Sequence, residues 1–159
     1  MRLSKKSLWI VVAILVVWVI ALGGLVARAG MTESRFETSG ALERTLGAFD
    51  EQGLTISAIS PADVYGEEWI AGAIICPYET EETIRQNFDV DASELEIGAL
   101  GVPEDTNYLM LRNADGEAVF DGMDRSTMDL CTVPLQGYFD TRLMMPVAKT
   151  EAGGWGLAV

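Results

Sequence analysis

The sequence predicts an α+β fold: an N-terminal transmembrane helix followed by a small extracytoplasmic domain with a mainly antiparallel sheet and two helices. Three observations predict it. Residues 8–27, LWIVVAILVVWVIALGGLVA, carry no charge, Pro, Asn or Gln. As a helix rising about 1.5 Å per residue they reach across roughly 30 Å, the hydrocarbon thickness of a bilayer. Beyond them, strand-like runs joined by short connections outnumber helical ones. The clearest is NYLMLRNADGEAVFDG, residues 107–122, where two strand-like runs flank Asp115-Gly116 and predict a β-hairpin.

The flanks of the apolar run set its expected orientation. Arg2, Lys5 and Lys6 precede it and only Arg28 follows closely. The positive-inside bias then places residues 1–7 in the cytoplasm, 8–27 across the cell membrane in a single pass, 28–38 as a tether, and 39–159 outside. Ala27-Arg28-Ala29 offers a small-x-small pattern, so secretion after cleavage near Ala29 is the alternative. The apolar run exceeds the usual h-region of about 7–15 residues, which favours an uncleaved signal-anchor.

In the outer part, Leu42, Leu46 and Phe49 recur at helical spacing, with Ser39 or Gly40 as cap and Gly53 as stop. LTISAIS (54–60) and EWIAGAIIC (68–76) read as strands, the second apolar enough to lie centrally, with PADVYGE between them as a turn. Thr80 can cap a second helix that buries Ile84 and Phe88. Asp91 and Glu94 suggest a further short helical turn. STMDLCTV, TRLMMPVAK and GWGLAV are further strand candidates.

Cys76 and Cys131 are the two cysteines, and both fall in the outer part. An even count in an exported domain predicts a disulfide. Cys76-Pro77-Tyr78, between a strand and a helix, also resembles the start of the glutaredoxin motif. Thr132-Val133-Pro134 resembles the cis-proline segment of thioredoxin-like folds, and together they imply a thiol-redox role. The sequence departs from that pattern: position 79, where a second active-site cysteine would stand, is Glu79, and the Asp115-Gly116 hairpin precedes Pro134 instead of following it. The structural bridge is therefore the expectation for both cysteines, pinning the helix that follows Cys76 to the strand that carries Cys131.

Composition excludes several chemistries. With no histidine there is no Ser-His-Asp or Cys-His catalysis and no ordinary pH 7 proton shuttle. No Gly-rich phosphate loop with a lysine occurs. The net charge is −13, and setting aside the four cations Arg2, Lys5, Lys6 and Arg28 leaves −17 for the remainder, which argues against nucleic acid as a partner. An EF-hand aligned on Gly116 puts Leu111 and Gly122 at positions that need oxygen donors. No cofactor, metal site or catalytic residue is therefore expected, although a pair of acids among 24 carboxylates could in principle act as an enzyme. The expected function is a non-enzymatic, membrane-anchored binding or accessory-subunit domain whose partner is another envelope protein or a membrane complex. The plan resembles that of many bacterial envelope proteins. Candidate partner contacts are Trp155, set among glycines so that it either docks on the domain or anchors a partner, and the acids Glu79, Glu81 and Glu82 of ETEE. Met144-Met145 reads as core filler, with an adaptable contact surface as the alternative.

Overall fold

A computed structural model describes residues 39–158. The expected membrane span at 8–27 and tether at 28–38 lie outside the described residues. Among the described residues no helix is long and apolar enough to cross a membrane.

In chain order the elements are α1 (Ala41–Glu51), β1 (Ile56–Ile59), α2 (Pro61–Tyr65), β2 (Trp69–Ile75), α3 (Glu81–Phe88), β3 (Thr106–Asn113), β4 (Ala118–Asp124), β5 (Met128–Asp129), a 3-10 turn (Leu130–Thr132), β6 (Phe139–Asp140), β7 (Met145–Lys149) and β8 (Trp155–Leu157). They form two four-stranded sheets, one in the order β1-β7-β8-β5 and the other β4-β3-β2-β6. The expected single, mainly antiparallel sheet with two helices is thus corrected to two sheets with three described helices. One strand pair, β5 with β8, is parallel.

The physical reason lies in β2 and β3. Both are apolar on both faces, as strands covered on two sides must be. Ile74, Leu109 and Leu111 face a core shared with α1, β7 and β8. Ala73, Ile75, Tyr108 and Met110 face a second core, closed by Ile84 and Phe88 of α3 and by Val90, Ala92 and Val102. Each face needs its own cover, so the second sheet packs on one side and α3 with its following loop on the other.

The helices follow their local signals. α1 ends in a Schellman motif: Leu54 N–H donates to the Phe49 carbonyl at 3.0 Å and Gly53 N–H to that of Asp50 at 2.9 Å. Gly53 has φ +71°, a conformation that costs a glycine little. α3 carries a reciprocal cap, with Thr83 N–H donating to Thr80 Oγ1 at 3.2 Å and Thr80 N–H to Thr83 Oγ1 at 2.8 Å. The PADVY stretch, expected as a turn, is the short helix α2, because Pro61 stands at its first position, where a fixed φ and a missing N–H cost nothing. Asp91 caps no helix; its carboxylate accepts from Ser93 N–H at 2.9 Å and closes a local turn. STMDLCTV yields only two strand residues before the 3-10 turn.

The hairpin agrees with expectation. Asn113 Oδ1 accepts from the N–H groups of Asp115 and Glu117 at 3.0 and 2.9 Å, and β3 pairs with β4 from Thr106↔Asp124 to Arg112↔Ala118.

Candidate functional site

Cys76 and Cys131 form a disulfide with Sγ atoms 2.06 Å apart and Cα atoms 5.9 Å apart. Cys76 directly follows β2 in one sheet, while Cys131 lies in the 3-10 turn after β5 of the other. The bridge therefore ties the two sheets together, rather than tying α3 to a strand. Glu79, at the place of the second cysteine in a redox motif, turns its carboxylate back to accept from Cys76 N–H at 2.9 Å. Its burial pushes its pKa upward, partly offset by that hydrogen bond. No described peptide bond is cis, Pro134 included, and no described cysteine is free. Gly101 packs beneath this corner, with its Cβ position only 2.6 Å from the Tyr78 carbonyl carbon, so the turn tolerates no side chain there.

The other acids of ETEE are not gathered into one patch. Glu82 is exposed and tied to Arg85 and Gln86 on its own helix, whereas Glu81 projects to solvent. Trp155 is buried, with 1% of its surface exposed, so its ring docks on the domain and is not an exposed anchor. The indole N–H donates to Asp50 Oδ1 at 3.1 Å. The Phe49 ring meets it edge-on at 5.9 Å, and Lys149 Nζ lies 4.8 Å from its centroid. The glycine before Trp155 lets the chain pass close to the segment entering β5, its Cβ position falling against the Ser126 carbonyl oxygen; it does not expose the ring.

Exposed apolar surface gathers elsewhere. Leu135, Leu143 and Met144 are 45%, 58% and 60% exposed and border a groove of about 300 Å³ with Phe139, Met145 and Pro146. The two methionines thus split: Met144 faces solvent and Met145 is half-buried. Nothing in the sequence marks Leu135 or Leu143 as exposed, because exposure of a loop leucine is a tertiary property. In the turn before Leu143, Arg142 reaches both oxygens of Asp140 at 2.9 and 2.5 Å and holds that carboxyl down to about 2.

A buried acid also escaped the sequence reading. Asp121 on β4 is fully buried, accepting from Tyr65 Oη and from Gly40 N–H, each at 2.6 Å. The bond fixes the start of α1, which has no side-chain cap of its own. Burial, and then the Asp121 charge, push the Tyr65 hydroxyl far above its usual pKa of about 10. The unfolded chain loses this proton near pH 10 while the native state keeps it. The stability contributed is complete below pH 10 and is lost as pH rises beyond it, by up to about 1.4 kcal/mol per pH unit. Tyr108, also raised by burial, acts in the same direction. The readout is therefore the difference: Tyr65→Phe is expected to flatten the fall in urea midpoint between pH 9 and 11. An unchanged slope in that variant would remove Tyr65 as its source.

Among the described residues no group of three or more His, Cys, Asp or Glu side chains is arranged to hold a metal ion. Comparison with protein-family profiles, with curated proteins and with solved structures found no match. A functional reading therefore rests on the chain's own surfaces.

Proposed function

We propose that residues 39–158 form a non-enzymatic binding domain of the cell envelope, tethered to the outer side of the membrane through the apolar 8–27 segment, and that it docks an apolar stretch of another envelope protein. The observation that carries this reading is the groove bordered by Leu135, Leu143 and Met144. Exposed apolar side chains gathered about a concavity favour occupation by an apolar partner, since covering them gains roughly 25 cal/mol per Å² removed from water. The net −17 beyond the flanking cations favours a protein over an anionic bilayer as that partner. A disulfide between the sheets supports the outer location.

The test is a photo-crosslinking side chain at Met144 in living cells, with one at Asp115 on the hairpin tip as control. The expected result is a discrete adduct from position 144 to one subunit of a membrane complex, lost when Leu143→Asp is added. Adducts to lipid alone, or equal adducts from both positions, would overturn this reading.

A further inference from the structure

We propose that the outer edge of β4 takes an extended, basic polypeptide segment as a fifth strand of its sheet. Among the described residues β4 is an edge strand, paired only with β3. In an antiparallel ladder the hydrogen-bonded pairs alternate, so one contact at each end fixes the phase. Arg125 N–H donates to the Asp105 carbonyl and Asn113 N–H to that of Glu117. Val119, Asp121 and Met123 therefore bond inward to β3, while Ala118, Phe120 and Gly122 direct N–H and C=O outward. Among the described residues these outward groups have no hydrogen-bond partner. At about 3.4 Å per residue they offer a pairing front of roughly 14 Å.

The cleft beside this edge chooses the occupant. It measures about 570 Å³, and its lining includes Glu94, Glu96, Asp105 and Asp124 but no Lys or Arg. Backbone amides and carbonyls in strand register recognise a polypeptide, and four carboxylates select a basic one. A second copy of this chain would bring the same acids to the same edge, and like charges oppose that pairing. The acids so guard the edge against self-association while leaving it open to lysine-rich strands. This surface lies apart from the Met144 groove, which shares none of its lining residues, so its test and the crosslinking test succeed or fail separately.

The experiment uses the full chain in uncharged detergent at low salt and a fluorescent octapeptide of alternating lysine and valine, blocked at both ends. Two comparison peptides replace lysine by glutamate, or keep the lysines and carry N-methyl groups on the four central residues. The lysine peptide is expected to bind and to slow hydrogen exchange at the amides of Ala118, Phe120 and Gly122. The N-methylated and glutamate peptides are expected to bind at least about tenfold more weakly, a difference of about 1.4 kcal/mol. Ala118→Pro, which removes an outward N–H without touching a bond to β3, should weaken binding while leaving the urea midpoint in place. Equal binding of the N-methylated peptide would reduce the site to a charged patch and overturn strand addition. Unchanged exchange at the three amides, or no preference for lysine over glutamate, would overturn it as well. Should the proline variant fold poorly, the peptide comparison on the unaltered chain still decides.

Discussion

Replacing Cys76 and Cys131 together by alanine is expected to lower the unfolding free energy by about 4 kcal/mol. The two residues are 55 apart in sequence, and freeing a loop of that size restores about this much entropy to the unfolded chain. A small domain has about 5–15 kcal/mol in all, so the variant should stand near the edge of folding. The structure adds a reason for the native state to suffer too. The bridge joins one sheet to the other at a point where β2 meets the 3-10 turn. Cys76→Ser and Cys131→Ser should each cost nearly as much as the pair, because each removes the same constraint. Urea titration of oxidised and reduced protein measures it, and a loss below about 1 kcal/mol would mean the sheets hold together without the bridge.

Trp155→Ala is expected to cost about 3–5 kcal/mol, the range for emptying a buried aromatic site. The indole closes the core where α1 meets β7 and β8, and its removal strands Phe49 and the Asp50–Lys149 pair, 2.7 Å apart, beside a cavity. Trp155→Phe should lose less, since it keeps most of the packing and gives up the hydrogen bond to Asp50. Thermal or urea unfolding of both variants decides the order. A Trp155→Ala protein as stable as the parent, yet impaired in partner capture, would return Trp155 to the role of surface anchor.

Much of the local structure was legible because its causes are local. Asp115-Gly116 between two strand-like runs specifies the hairpin, Gly53 the end of α1, and Thr80 the start of α3. The two cysteines paired as their even count suggested. What stayed hidden depends on residues far apart. The partner of β1 is β7, about 90 positions later, and nothing in ISAI names it. Trp155 among glycines reads as exposed until α1 is placed beneath it. Asp121 reads as a hairpin surface acid until Tyr65 and Gly40 close over it. The groove, and the β4 edge that no described strand pairs, are surfaces, and surfaces are defined by what fails to pack against them, which no short window of sequence records.

The pairing of β1 with β7 also orders the assembly of the domain in time. A chain made from its N-terminus can complete the β2-β3-β4 meander once residue 124 has emerged, since those contacts are near in sequence. β1 must wait for residues 145–149, with Ile59, which the folded domain buries, left uncovered and its hydrogen-bonding groups unsatisfied throughout. During that interval the half-made domain presents an aggregation-prone strand at its leading end. Holding factors that recognise short apolar segments have their natural target there, at residues 54–59, and a ribosome stalled between residues 124 and 145 should display it longest.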